Sequence, residues 1–438
     1  MERYNTLVLA ILSTTLITIA NSVVYDEDIL PPNLSNQSVI APLLNIVPEN
    51  FNLTKWSLVL RNVHPHTYLT AIEIIRLHKY DAEVHEVETD DGYILQLHRI
   101  PDCKKSPKAA GKPVVFLQHG ILSSSVDWVM AGPERGFAFL LADAGYDVWM
   151  GNARGNIYSR KHKKLTDRDS QYWSFSWHEM GVHDLPAVIS HILKISEQQK
   201  LYYIGHSQGS TSFFVMLSEH PEYNDKIHAM FSLAPVAYCS HMRSPIFQFM
   251  ALFDQPIKIL TALIGINEFK PTDEFFTTFT TALCQERVIT QPICENVLFM
   301  IAGFNEAQMD LELLPAILAH VPAGASVNQF IHYSQIIKSG KFQQMDFGWY
   351  SNLMKYGSLT PPSYSLTNVK VPIALHYSGN DLISSSIDVE KLLSKLPNPI
   401  GKFQVSDRKF SHLDYLWAKD VKTLLYDQIM SIMLRYKD

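Results

Sequence analysis

Leu201-Tyr-Tyr-Ile-Gly205-His206-Ser207-Gln208-Gly209 sets an apolar run directly against a Gly-x-Ser-x-Gly pattern. The run reads as a buried strand and the stretch 211–217 after it as a helix, so the serine falls on the turn between them. A serine there must take up strained backbone to present its hydroxyl, and neighbouring backbone has to pass close by. Gly205 and Gly209 leave that room. Gly-x-Ser-x-Gly alone is common by chance, but its placement between strand and helix is the context of a nucleophile elbow, with Ser207 as the nucleophile.

Working outward, further short apolar runs bounded by glycine occur at 114–117, 148–150, 230–233 and 373–377. Their length and continuity predict buried parallel strands. Leu185, Val188, Ile189 and Ile192 recur at helical spacing between two of them. Alternation of strand and helix predicts an α/β fold with a mostly parallel central sheet. Two alternating runs flank Asp90-Asp91-Gly92 and predict a β-hairpin ahead of it. Well over a hundred residues separate the strand ending near Ala234 from the one starting near Val371, which predicts an inserted, mainly helical cap at 238–365. The core would comprise 66–237 and 366–438. Within the cap, apolar residues from Ile246 to Ile264 follow a helical period but cover other faces too. A helix buried in the cap and a lipid-facing lid fit them equally well.

A serine hydroxyl is a weak nucleophile near neutral pH and needs a histidine to take its proton, with a carboxylate to hold that histidine's tautomer. Behind an elbow of this kind the acid follows the serine and the histidine comes last. Beyond His376, inside a predicted strand, the only histidine is His412, in the loop Phe410-Ser-His-Leu-Asp-Tyr415. Asp381 stands on the turn just past Gly379 and is the expected acid. Asp388 reads as a charge favoured by the dipole of the next helix, and Asp414 is too close to His412 to be the third member. The oxyanion would meet the N–H groups of Gln208 and of Ile121, the latter following His119-Gly120.

The 438 residues are 47% hydrophobic and 18% charged, which excludes a disordered, fibrous or polytopic membrane chain. With 37 Lys+Arg against 43 Asp+Glu, the net charge of −6 offers no basic field for nucleic acid. The apolar run 7–20 behind Arg3 predicts a secretory signal peptide over 1–22, too short for a membrane span. An irregular, proline-broken extension follows at 23–65, with sequons at Asn33, Asn36 and Asn52 predicting glycosylation. Entry into the secretory pathway implies a secreted or lysosomal protein. Of four cysteines, Cys284 and Cys294 close a short loop and are the expected disulfide; Cys103 and Cys239 offer no spacing argument. His178-Glu179 followed by His183 misses the helical zinc spacing, and no phosphate-cradling or dinucleotide glycine motif follows a strand, so neither metal nor cofactor is expected.

From about Ala71 to the C-terminus the sequence resembles the animal acid lipases, a family that includes gastric and lysosomal acid lipase. The resemblance rests on Asp91-Gly-Tyr-Ile-Leu-Gln-Leu-His-Arg-Ile-Pro101, Phe116-Leu-Gln-His-Gly120, Gly151-Asn-Ala-Arg-Gly-Asn156, Phe175-Ser-Trp-His-Glu-Met180, Gly205-His-Ser-Gln-Gly209 and His412-Leu-Asp414. It implies an α/β-hydrolase fold, a Ser207–Asp381–His412 triad, an oxyanion hole at Ile121 and Gln208, and Cys284–Cys294 as a cap disulfide. The expected activity is hydrolysis of lipid carboxylic esters, triacylglycerols or related acyl esters, at a lipid droplet or membrane surface. An esterase for small or sterol-type esters and a non-catalytic lipid-binding protein of the same fold are the alternatives. His183 departs from the family, which usually has tyrosine there.

Overall fold

Among the described residues eleven strands, few longer than six residues, form: β1 (Glu83–Glu88), β2 (Tyr93–Ile100), β3 (Val114–Gln118), β4 (Asp147–Met150), β5 (Lys161–His162), β6 (Leu201–His206), β7 (Ile227–Leu233), β8 (Glu268–Phe269), β9 (Ala325–Ser326), β10 (Ile373–Tyr377) and β11 (Pro399–Gln404). The computed structural model describes residues 64–107, 109, 111–252, 267–269, 303 and 305–436. The predicted signal peptide, the three sequons, Cys284, Cys294 and the apolar stretch beyond Leu252 lie outside them.

The main sheet runs β1-β2-β4-β3-β6-β7-β10-β11, with β5 paired to β2, and β8 and β9 form a separate ribbon. β1, β2 and β5 are antiparallel to their neighbours, whereas β4, β3, β6, β7, β10 and β11 are all parallel. β3, β4 and β6 are buried at every position, as expected of strands with helices on both faces. Successive residues feed two separate cores: Phe116, Tyr203, Met230 and Leu375 enter one, while Leu117, Ile204, Phe231 and Ala374 enter the other. This is the two-residue period of strand side chains at work.

The covering helices are α1 (Ala71–Leu77), α2 (Phe137–Asp143), α3 (Leu185–Ser196) and α4 (Gln208–Glu219); α5 (Pro245–Leu252), α6 (Leu314–His320), α7 (Val327–Ser339) and α8 (Trp349–Tyr356) lie between β7 and β10; α9 (Ser386–Leu393), α10 (Asp414–Trp417) and α11 (Asp427–Met433) complete the chain. Thr70 and Glu73 form a capping box that starts α1. Leu185, Val188, Ile189 and Ile192 are all buried along α3. In α5, Phe247 is buried and stacks on Phe330 of α7 at 5.8 Å. Met250 and Ala251 of the same helix are buried as well.

Several of the motifs quoted above meet in one buried network. Arg154, 1% exposed, pairs with Asp91 at 2.6 Å and with Asp184 at 2.5 Å, and lies 4.0 Å over the Tyr93 ring. It joins the β1–β2 turn, the loop after β4 and the start of α3. The two carboxylates hold the guanidinium firmly protonated despite its burial. At the outer edges, β1 presents Glu86 and Glu88, paired with Lys161 and Lys163. β11 begins at Pro399 and shifts register before Gly401.

Candidate active site

β6 ends at His206 and α4 begins at Gln208, which leaves Ser207 alone on the turn with φ 51° and ψ −116°. An L-residue held there stores about 1–3 kcal/mol of strain. The turn is over-determined: Ser207 N–H donates to Leu233 O at 2.9 Å, and Ser207 O accepts from Ser210 N at 2.9 Å and Ser210 Oγ at 2.5 Å. A methyl on Gly209 would approach Gln118 O to 2.4 Å, and one on Gly205 would meet the Gly209 carbonyl carbon at 2.8 Å. Both glycines are required by close approach, as the motif implied.

Asp381 lies on the loop after β10, with Oδ1 accepting the N–H groups of Ile383 and Ser384 at 2.8 Å each. His412 Nδ1 donates to the same carboxylate, 2.9 Å from Oδ1 and 2.8 Å from Oδ2. Both residues are buried. With its proton on Nδ1, the ring offers Nε2 as a base. The histidine loop is also tied to the serine turn, because His206 Nε2 donates to the His412 carbonyl at 3.0 Å. Burial holds the His206 pKa well below that of free histidine, so this donor stays neutral. Among the described residues no hydrogen bond joins Ser207 Oγ to His412, and their link runs through His206. Such bonds are often long without substrate and tighten when it binds.

The chain between β7 and β10 grips both loops. Arg243 donates from its guanidinium to Gly379 O and Asp381 O at 3.0 Å each. Its backbone N–H and that of Ser244 donate to Leu382 O at 2.7 and 2.8 Å. On the histidine side, Asp414 Oδ2 accepts Ser411 N–H at 2.6 Å and Asn305 Nδ2 at 3.0 Å. Burial pushes the Asp414 carboxyl up to about 7. Asp388 stands in the first turn of α9, as its sequence reading expected; it is buried there, and its carboxylate also takes His241 N–H at 2.8 Å and His241 Nδ1 at 2.9 Å. From that position it also anchors the loop of His241.

Gln208 N–H, at the start of α4, and Ile121 N–H donate to no acceptor among the described residues. The Gln208 side chain is engaged elsewhere, accepting from Gln329 Nε2 at 3.0 Å. The Ile121 loop is held by His119, whose Nδ1 donates to Gly120 O at 2.7 Å while Nε2 accepts Ala153 N–H at 3.0 Å. Burial lowers the His119 pKa to about 4, which preserves this donor–acceptor arrangement. The next residue, Leu122, has φ 64° and accepts Ala323 N–H at 2.7 Å.

The other residues considered fall into place away from this site. His376 is buried in β10, with its pKa lowered to about 3. His178 Nδ1 meets the Tyr364 hydroxyl at 2.8 Å and His183 Nδ1 meets Asp90 at 2.7 Å, so the two histidines face different partners. His183, Asp90 and Asp91 do bring three potential ligand atoms within 4.8 Å of one another, but both aspartates are exposed and Arg154 already takes Asp91. Cys103 and Cys239 are buried free thiols. The roles of His206, Arg243 and Asn305 carried no sequence signal.

Parallel strands that deliver a strained serine, then an acid, then a histidine to one edge are the design of the α/β-hydrolases. Residues 113–255 match the α/β-hydrolase fold profile and residues 71–132 the partial α/β-hydrolase lipase region. A crystal structure from Sulfolobus solfataricus superposes with a TM-score of 0.54 at 14% identity, covering 82% of this chain and 95% of its own, which supports the fold alone. The chain is 45% identical over 359 residues to Lipase 3 of Drosophila melanogaster, covering 82% of this chain and 91% of that protein. It is 40% identical over 376 residues to gastric triacylglycerol lipase of Bos taurus, covering 85% and 93%. It is also 40% identical over 377 residues to human lysosomal acid lipase/cholesteryl ester hydrolase, covering 86% and 93%. The chain belongs to the animal acid lipase family and is a hydrolase of lipid carboxylic esters.

Proposed function

We propose that Ser207, His412 and Asp381 form the catalytic triad of a serine lipase that cleaves triacylglycerols through an acyl-enzyme. The buried Asp381–His412 pair, hung on the serine turn through His206, is the observation that carries this reading. Ser207 Oγ attacks the ester carbonyl as its proton passes to His412 Nε2, and the charge that gathers on the imidazole is balanced by Asp381 at Nδ1. The Gln208 and Ile121 amides meet the oxyanion, each of them worth about 2.7–4 kcal/mol in comparable sites. Collapse of the tetrahedral intermediate breaks the ester C–O bond, and the alcohol leaves with the proton from His412. Water then attacks the acyl-enzyme with His412 again as base, and Ser207 regains its proton as the fatty acid departs.

Segment 238–365 is the cap of this enzyme, and a leader at 1–22 routes it to secretion or to the lysosome. Sterol esters are the second substrate reading, supported by the name of the human relative. Hydrolysis of emulsified long-chain triacylglycerol, a sterol ester and a soluble short-chain ester, followed across about pH 4 to 8 with Ser207→Ala as control, tests the proposal. Preference for the emulsion, abolished in the variant, is the expected result. Full activity in Ser207→Ala would overturn the triad, and short-chain turnover alone would leave an esterase.

A further inference from the structure

Helix α8 is inside out. Its polar Asn352 is buried, while Trp349, Tyr350 and Met354 are 69%, 62% and 73% exposed, with Leu353 and, just beyond the helix, Leu359 exposed beside them. This orientation is built in. Asn352 Oδ1 accepts Phe347 N–H at 2.9 Å, and its Nδ2 donates to Asp346 Oδ1 at 2.8 Å and to Leu359 O at 3.1 Å. The Tyr356 hydroxyl donates to Met345 O at 2.8 Å. Gly348 and Gly357, with φ 88° and 67°, bound the helix. Rolling α8 to hide its apolar face would break this set of bonds and bury nothing polar in return, so the apolar face is held toward solvent. Clustered apolar exposure of this kind marks an interaction surface.

Charge and composition narrow the occupant. In a chain with net charge −6, the stretch from Phe347 to Lys370 contains no acidic residue and carries Lys355 and Lys370. Lys355 stands on α8 itself, its ammonium 4.5 Å from the Phe347 ring centroid. His178 bonds to Tyr364, and burial lowers its pKa, with Glu179 opposing and Lys355 adding to the shift more weakly. Burial, and after it Glu179 and Asp346, raise the Tyr356 pKa. Trp and Tyr beside aliphatic side chains and a lysine are the composition that settles at a lipid–water boundary, rings at headgroup depth and the ammonium toward anionic headgroups.

We propose that α8 together with Leu359 is a docking element for a lipid surface, seating the enzyme on a lipid particle carrying anionic lipid. The proposal rests on the lipid-ester activity of the family and not on the assignment of the triad. Flotation with triolein droplets stabilised by phosphatidylcholine, with and without oleic acid, measures it. The triple variant Trp349→Ser/Tyr350→Ser/Met354→Ser should bind droplets about ten-fold or more weakly while hydrolysing a soluble short-chain ester at the wild-type rate. Lys355→Glu should lose affinity on oleate-bearing droplets only. Trp349→Phe keeps the apolar face and should bind as wild type, and the emission it removes should be the emission that brominated phosphatidylcholine quenches in the wild type. Undiminished binding by the triple variant, or quenching confined to the remaining tryptophans, would overturn the proposal. So would a wild-type dimer that the triple variant converts to monomer, since the patch would then serve a second copy of the chain.

Discussion

Oδ1 of Asp381 accepts two backbone N–H groups as well as sharing the His412 proton, whereas Oδ2 faces His412 alone. Asp381→Asn can therefore keep its loop, with the amide oxygen in the place of Oδ1, while its NH2 group turns the Nδ1–H of His412 away and imposes the wrong tautomer. We expect kcat on a soluble ester to fall about 10⁴-fold with KM and melting temperature nearly unchanged, measured by steady-state kinetics beside a thermal melt. Gly209→Ala should behave differently. Its methyl would overlap the Gln118 carbonyl at 2.4 Å, a backbone atom that cannot swing aside, so the loop carrying Ile121 must move. Loss of both stability and turnover is the expected outcome, and an alanine variant with a wild-type melt would contradict the packing. At this scale the sequence was legible where chemistry restricts residue type: a serine between glycines and a single remaining histidine. It was silent on Arg154 as a hub, because that role depends on Asp91 and Asp184, which stand 63 and 30 positions away.

Loops do the positioning here, and their anchors are side chains from distant elements. Asp414 N-caps nothing by itself, yet its carboxyl holds the loop of His412 by Ser411 N–H and binds Asn305 across 109 positions. Asp414→Ala leaves a buried N–H without an acceptor, at about 1–3 kcal/mol, and should lower kcat about ten-fold or more. If the group acts as a neutral acceptor below pH about 7, Asp414→Asn restores that activity and holds it at higher pH, where the wild-type carboxyl ionises in a buried site. An asparagine variant as weak as alanine would show that the charge itself is needed. The strands and α3 were legible because their apolar periods are local. The widening of the helix over Met180–Asp184 was not; it coincides with close packing on α4, where a methyl on Gly181 would fall 2.6 Å from Val215.

Across the whole molecule, buried ionisable groups oppose one another. Asp127 is fully enclosed, neither oxygen has a hydrogen-bond partner among the described residues, and burial raises its pKa from 3.8 to about 7, with the nearby Ser123 hydroxyl acting in the opposite sense. The folded state thus binds this proton more tightly than the unfolded chain does, so the group's contribution is intact below pH about 4 and is lost as pH rises through about 7. Asp127→Asn should therefore stabilise the protein by on the order of 2–4 kcal/mol at pH 8 and change little at pH 4, a difference that melts at the two pH values would show. His98 and His332, lowered to about 4 and 3 by burial, work the other way and weaken the fold as pH falls below about 6.5. The margins of the sheet carry a further consequence, for aggregation. β11 opens at Pro399, which has no N–H to give, slips register at Gly401 and bears Lys402; β1 is lined with glutamates. The β11 margin offers an incoming strand no even row of donors and acceptors, and the β1 margin meets it with charged side chains, so a partly opened molecule is a poor template for intermolecular sheets. Valine at both 399 and 402 should remove that protection at one end, and turbidity on heating should then appear earlier in a protein whose starting activity is unchanged.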